Sequence, residues 1–330
     1  MTTNTTMTAA VYRRFGAPEV VRLEQLPVPA PQPGEVLIRV HASTVSVADH
    51  RARARDVPRG LDLLAASAIG LFRPKPRVLG MDAAGVVEAA GECVTAFAPG
   101  DRVIAMMGGG FGGHAEYVCV PVDAITRAPA NLTHEEAVTL VFGGTTALGF
   151  LSQVSIGPGT TVLVNGASGA VGTAVIQLAA PLGAYVTAVT SGRNAELVTS
   201  LGADRVIDYT RQDFTANGVR YDVIVDGVGN AAFERVEASI NPGGALLLVI
   251  CDLPGMLRSR GQSRRSGKLV TWAVGKPGAA ELAQLVSLAE SGHYRPVIDR
   301  TYDLADIVEA HRYVDTGRKR GNVVLRIAHA

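Results

Sequence analysis

Asn165-Gly166-Ala167-Ser168-Gly169-Ala170-Val171-Gly172 is the stretch on which the reading of this 330-residue chain turns. A short apolar run, 161–164, precedes it, and Val171, Val175, Leu178 and Leu182 then recur on one helical face. A glycine-rich turn between a strand and a helix brings backbone close to a ligand. Gly169 admits a pyrophosphate, and Gly172 lets the helix pack tightly on the sheet. The helix start adds unpaired N–H groups and the positive end of its dipole. Ala167 stands where such turns usually carry their first glycine. Gly166, Ala167, Ser168, Gly169, Ala170 and Val171 are therefore the expected cradle of a dinucleotide.

Beyond the turn the pattern alternates. Strands are expected at 185–190, 205–208, 222–226, 245–250 and 268–274. Pro181 and Gly183 should close the first helix near Ala180, and Gly202 a helical turn at 195–201. Alternation of this kind implies an α/β fold, a doubly wound parallel sheet of Rossmann type covered on both faces. The second strand ends in Thr190-Ser191-Gly192-Arg193, where a site for NAD usually presents Asp or Glu to the adenosine ribose. Ser191 can donate a hydrogen bond and Arg193 can pair with a phosphate dianion, so NADPH is the expected cofactor.

The first ~125 residues read as mostly β, with strands at 8–12, 20–25, 35–43, 78–90, 101–105 and 115–121 bounded by Pro and Gly. A helix at 303–316 and a last strand at 322–327 are expected to return to this first part. Residues 60–72 form an apolar helix-like stretch before a basic run, 73–77; they either roof an apolar pocket or complete the core. Residues 252–267, rich in Gly, Ser and Arg, read as a mobile loop. Its Arg258, Arg260, Arg264 and Arg265 are either solvated or attract an acidic substrate.

Apolar residues make up 47% and charged residues 18% of the chain, which suits an ordered protein. A formal charge of +1 offers no global field for nucleic acid or a membrane. The polar N-terminus lacks the pattern of a secretory signal, and no apolar run is long enough to cross a bilayer. Cys93, Cys119 and Cys251 lie far apart, make no CxxC pair and, at three in 330 residues, form no disulfide framework. A cytoplasmic location is the expectation.

Several further segments carry a family likeness: 34–40 (GEVLIRV), 79–87 (LGMDAAGVV), 99–103 (PGDRV), 113–117 (GHAEY), 142–147 (FGGTTA) and 201–209 (LGADRVIDY). Over nearly its whole length the chain resembles the medium-chain dehydrogenase/reductase superfamily, and within it the zinc-free quinone oxidoreductase branch that includes zeta-crystallin-like proteins. The resemblance implies a GroES-like β-barrel substrate domain at 1–126 and 276–330 and a Rossmann NADPH-binding domain at 127–275. It implies a homodimer joined through the sheet edge at 268–274. It also implies cofactor contacts. Thr146, Ile250 and Cys251 would lie near the nicotinamide, with Asn322 reaching the same side. Tyr209 would lie beside the adenosine 2′-phosphate, and Val228 in a loop passing the adenosine.

The zinc branch of the family carries a Cys three residues before an Asp, and a His directly after a Gly. Here those positions read Ser46, ahead of Asp49, and Met81, after Gly80. Neither is a normal zinc ligand, and the cysteine-rich lobe that holds structural zinc is absent, so no metal is expected. The branch often has Asn-Pro-x-Asp where this chain has Ser46-Val47-Ala48-Asp49, which weakens transfer of its substrate chemistry.

Without a metal, a hydride acceptor needs its own electrophilic carbon. None of the eight tyrosines is followed by lysine at the spacing of a Tyr-x-x-x-Lys acid. A small apolar quinone or α,β-unsaturated carbonyl meets the need, because charge spreads into an enolate. Ser46 and Asp49 are the candidate catalytic residues, Ser46 as a hydrogen-bonding hydroxyl and Asp49 as an organiser of the site or a structural group. Two alternatives stay open: a non-catalytic NADPH-binding sensor or scaffold, and an NADP-dependent alcohol dehydrogenase.

Overall fold

Strands rich in β-branched residues open the chain: β1 (Thr6–Tyr12), β2 (Val21–Pro27) and β3 (Glu35–Thr44), then helices α1 (Val47–Ala54) and α2 (Asp62–Ile69). β4 (Asp82–Ala90), β5 (Arg102–Met106), β6 (Tyr117–Pro121), β7 (Ile125–Arg127) and α3 (His134–Val138) follow. The chain then runs through α4 (Val141–Leu151), β8 (Thr161–Asn165), α5 (Ala170–Ala179), β9 (Tyr185–Thr190), α6 (Ala195–Ser200), β10 (Arg205–Asp208), β11 (Tyr221–Asp226), α7 (Phe233–Val236), β12 (Ile240–Leu248), α8 (Leu253–Ser266) and β13 (Leu269–Thr271). It closes with α9 (Ala279–Glu290), β14 (Ile298–Asp303), α10 (Ile307–Asp315) and β15 (Asn322–Arg326). The computed structural model describes residues 5–75, 77–275 and 278–329.

The described residues fall into two units. The first takes those of Met1–Val57, Leu63–Phe142 and Pro277–Ala330, the second those of Pro58–Asp62 and Gly143–Lys276. The first unit therefore extends past the expected boundary at 126. The reason is α3, whose Ala137 and Val138 are buried with Ala42, Ala84, Ile104 and Val324 of that unit's own strands. The expected return point at 276 lies outside the described residues.

In the first unit β14-β15-β3-β4-β5-β7 form a sheet, with β6 also paired to β3, and β1 and β2 form a hairpin. The core gathers Val36, Ile38, Val40, Val103, Val120 and Val323 from these strands with Ile307 and Val314 of α10. β14 and β7 went unseen in the sequence. β14 reads IDRTYD, mostly exposed, so it lacks the apolar alternation that marks a strand and is held by parallel pairing to β15.

In the second unit the sheet order is β10-β9-β8-β11-β12-β13, all parallel. This is the doubly wound order with its reversal between β8 and β11. Val162, Leu163, Val164, Leu246 and Leu247 are fully buried, as strands covered on both faces require. Each such side chain contributes about 1.5–3 kcal/mol by leaving water. α5 stops at Ala179 before Pro181, and Gly183 turns left-handed at φ 86°, as the sequence suggested.

One expectation needs correction, and one open alternative narrows. Residues 252–267 are not a loop but the 14-residue helix α8. Asp252 caps it by accepting from the Gly255 amide at 2.8 Å, Pro254 sits in its first turn, and Gly267 ends it in the left-handed region. Arg258, Arg260, Arg264 and Arg265 stand exposed on that helix. The stretch 60–72 does not complete the core: Ile69 is buried and Ala65 packs on the core, but Leu63, Leu64 and Phe72 are exposed.

Asp82 is fully buried in the first unit. Its carboxylate accepts from the Thr44 amide at 2.7 Å and the Thr44 hydroxyl at 2.6 Å. Burial pushes its pKa up to about 7, against the pull of those bonds. The folded value lies above the unfolded one, so its contribution to stability is complete below about pH 4 and is lost as pH rises towards 7. Asp82→Asn should therefore flatten the decline of Tm across this window. An unchanged slope in thermal melts would show that Asp82 is already ionised at pH 4.

Candidate functional site

The carboxyl ends of β8, β9, β11 and β12 bring the predicted cofactor residues of the second unit together. After β8 the chain turns through Gly166, at φ 80°, where only glycine sits without strain. The Gly166 and Ala167 amides both bond the Val189 carbonyl, at 3.2 and 3.1 Å, which pins the turn to the neighbouring strand β9. A methyl group at Gly172 would stand 2.3 Å from the Gly166 carbonyl oxygen and 2.7 Å from Ala167 Cα. Glycine is thus required for α5 to approach the turn this closely. Gly169 caps α5 with no side-chain bond. Among the described residues, no acceptor takes the Ala170 or Val171 amide, so the helix start presents free donors beside its positive dipole end.

A side-chain network, unforeseen in the sequence, joins this turn to the end of β9. Asn194 is buried and its amide nitrogen donates to Ser168 Oγ at 3.0 Å and to Ser191 Oγ at 3.2 Å. Thr190 Oγ1 also donates to Ser168 Oγ at 3.0 Å. Asn194 Oδ1 is buried and receives no hydrogen bond from the described residues. Arg193 lies exposed on the same loop, with no ion pair among them.

Tyr209 follows β10, its amide bonded to the Thr190 carbonyl at 3.2 Å and its side chain exposed. One carboxylate does stand close by. A methyl group at Gly192 would meet Asp208 Oδ2 at 2.7 Å. The Thr210 hydroxyl and amide, with smaller help from the Gly192 amide and Arg211, hold the Asp208 carboxyl below its usual range. The β9 end itself lacks an acid, as the sequence indicated, but the adjacent strand supplies one that sequence order hides.

The opposite wall is organised by Asp226, which is fully buried. Its carboxylate accepts from Asn165 Nδ2 at 2.9 Å and from the amides of Val228, Gly229 and Ala231 at 3.0, 3.1 and 3.0 Å. This holds Val228 against the turn: a methyl group at Gly166 would meet Val228 Cγ2 at 2.9 Å. Gly229 likewise abuts Ile250. Cys251 is buried in the apolar core of this unit. Burial, aided by Asp252 and Asp226, pushes its thiol up to about 11, so it stays protonated at neutral pH. Thr146 lies one turn beyond Gly143 on α4, and Gly143 packs against the Ala170 carbonyl at the start of α5.

The predicted residues of the first unit take structural tasks. Ser46 caps α1, and Asp49 completes a capping box. Asp49 Oδ2 accepts from the Ser46 amide and hydroxyl at 2.7 and 2.6 Å, and Oδ1 from the Gly80 amide at 2.8 Å. The Ser46 proton is committed to Asp49, and both side chains are buried. Of the two roles held open for Asp49, the geometry supplies the structural one. Asn322 donates to the Thr139 and Val297 carbonyls at 3.4 and 3.2 Å, fastening β15 within its own unit.

Two sequence profiles match the chain: an alcohol dehydrogenase GroES-like domain over residues 32–130 and a zinc-binding dehydrogenase domain over 201–325. A mitochondrial NAD(P)H oxidoreductase of Mus musculus is 31% identical, the alignment covering 98% of this chain and 90% of that protein. A 2-methylene-furan-3-one reductase of Solanum lycopersicum is 32% identical over 97% of this chain and 79% of its own length. The quinone oxidoreductase structure from Coxiella burnetii superposes with a TM-score of 0.87 at 27% identity, covering 98% of this chain and all of that one. The chain belongs to the medium-chain dehydrogenase/reductase superfamily. It is a nicotinamide-dependent oxidoreductase of that superfamily.

One of the matching profiles is described by zinc. The donor set does not fit that ion. Among the described residues no group of three or more His, Cys, Asp or Glu side chains converges to hold a metal. Asp49 and Asp82 are already saturated by hydroxyl and amide donors.

Gly172→Ala should lower nucleotide affinity at least tenfold and cost about 1–3 kcal/mol of stability through overpacking. Fluorescence titration and chemical denaturation read the two effects. Wild-type affinity in this variant would show that the turn does not hold the ligand.

Proposed function

We propose that the protein is an NADPH-dependent, zinc-independent reductase of quinones or α,β-unsaturated carbonyls. The observation that carries the cofactor choice is the loop after β9. It has no acid of its own, and it offers Ser191 and the exposed Arg193, which makes no ion pair among the described residues, to a phosphate. The free amides at Ala170 and Val171 suit the pyrophosphate. The unfilled acceptor Asn194 Oδ1 suits a ribose hydroxyl. Asp208 opposes a 2′-phosphate electrostatically but is turned into its own Thr210 and Gly192 bonds, which lessens the penalty.

When bound, NADPH supplies a hydride. The chain's own residues hold and orient the nucleotide through the turn, the 191–194 loop and the 227–231 loop clamped by Asp226. Among the described residues no donor set converges to hold a Lewis-acidic metal that would polarise a plain ketone, and the Ser46 proton is spent on Asp49. The acceptor must therefore disperse its own charge, as a quinone or enone does, with solvent protonating the product oxygen or α-carbon. The quinone oxidoreductase and enone-type reductase among the similar proteins support this reading. β13 ends the parallel sheet at an open edge, beside the exposed Leu269 and Trp272, which supports a homodimer paired there.

Arg193→Ala should raise KM for NADPH by tenfold or more and leave KM for NADH nearly unchanged. Asp208→Asn should shift preference further towards NADPH, because it removes a negative charge and keeps an acceptor for Thr210. Equal responses of both cofactors to Arg193→Ala would end the NADPH assignment. In a turnover panel, quinones and enones should outpace saturated ketones and primary alcohols by orders of magnitude. Comparable rates on plain alcohols would reject the metal-free scheme. Tight NADPH binding with no turnover on any member would favour a sensor.

A further inference from the structure

Helix α2 and the turn after it lack the polar face that a helix on a protein surface normally presents. The helix reads DLLAASAI, and only Ile69 is buried. Leu63 and Leu64 are 83% and 61% exposed, and Leu71 and Phe72 are 43% and 87% exposed. The turn is rigidly made. Gly70 sits at φ 102°, where a methyl group would lie 2.0 Å from the Arg73 carbonyl oxygen. The Lys75 amide also bonds the Ile69 carbonyl at 2.9 Å. Phe72 is thereby held outwards.

Cations surround these side chains. Lys75 Nζ donates to the Ser67 carbonyl at 2.6 Å, and Arg55 donates to the Leu71 carbonyl at 2.5 Å. Both charges are thus fastened to the apolar tip itself. Arg73 and Arg77 are exposed alongside. From Arg51 to Arg77 the sequence has seven Arg or Lys against two acids, Asp56 and Asp62; Arg53 is buried in an ion pair with Asp315, which leaves six cations, whereas the whole chain carries a net charge of only +1. The small overall charge therefore conceals a strongly basic segment.

We infer that this tip docks the protein on an anionic lipid surface, with Leu63, Leu64, Leu71 and Phe72 entering the interface and Arg55, Arg73, Lys75 and Arg77 meeting the headgroups. Protruding apolar side chains ringed by cations suit such a surface. A second copy of the chain suits it poorly, because a two-fold contact sets the patch against itself and brings like charges together. The inference does not depend on the reductase reading, since binding needs neither cofactor nor turnover.

The full chain should sediment with vesicles of phosphatidylcholine and phosphatidylserine at low salt. It should release as salt rises, and it should bind phosphatidylcholine alone weakly. Arg73→Gln with Arg77→Gln should lower partitioning about 25-fold, at about fivefold per cation. Phe72→Ser, at a position too exposed to threaten folding, should weaken binding at every salt concentration. Three results would each overturn the inference: no sedimentation with the mixed vesicles, equal binding to both vesicle types, or concentration-dependent dimerisation abolished by Phe72→Ser in a chain that ignores vesicles.

Discussion

The crevice at the carboxyl ends of the second unit's strands depends on one buried carboxylate. Asp226 ends β11 at the point where the strand order reverses, and it gathers donors from both sides of that reversal: Asn165 at the end of β8 and three amides of the 227–231 loop. Buried backbone N–H groups must find partners, and a carboxylate away from water is a strong acceptor for several at once. Because these bonds fix the loop, Val228 closes over Gly166 and Gly229 meets Ile250. The crevice is thus shaped by a residue whose lone pairs are taken up by donors within the protein.

The first unit uses the same device. Asp49 ties Ser46 to Gly80, and Asp82 ties β4 to Ser43 and Thr44 of β3. Both acids are wholly buried and spend their lone pairs on backbone and hydroxyl donors. Ser46 is thereby part of a hydrogen-bonded frame.

Much of the fold was legible because its signals are local. β9 and β10 matched their expected spans, since both are short segments centred on Val or Ile and each is preceded by a glycine-containing turn. The helix α5 was legible from its spacing, its glycine start and the proline beyond its end. α8 is hard to see in the sequence because Gly and Ser recur through it; the Asp252 cap, the helix-favouring arginines and the left-handed Gly267 outweigh their weak preference. β14 escaped because an exposed edge strand needs no apolar alternation.

By itself, the sequence determined the parallel sheet, the glycine-rich turn between β8 and α5 and the absence of an acid from the end of β9. Each rests on residues adjacent in the chain, where periodicity and glycine placement carry the information. Only the tertiary structure decided that Asn194 bridges Ser168 to Ser191, that Asp208 backs Gly192, and that Ser46 and Asp49 cap a helix. It alone also left Phe72 uncovered while drawing Arg55 to Leu71. These arrangements depend on side chains from different strands and turns meeting in space. Hydrogen-bond partners and burial are set by packing, which residue order does not express.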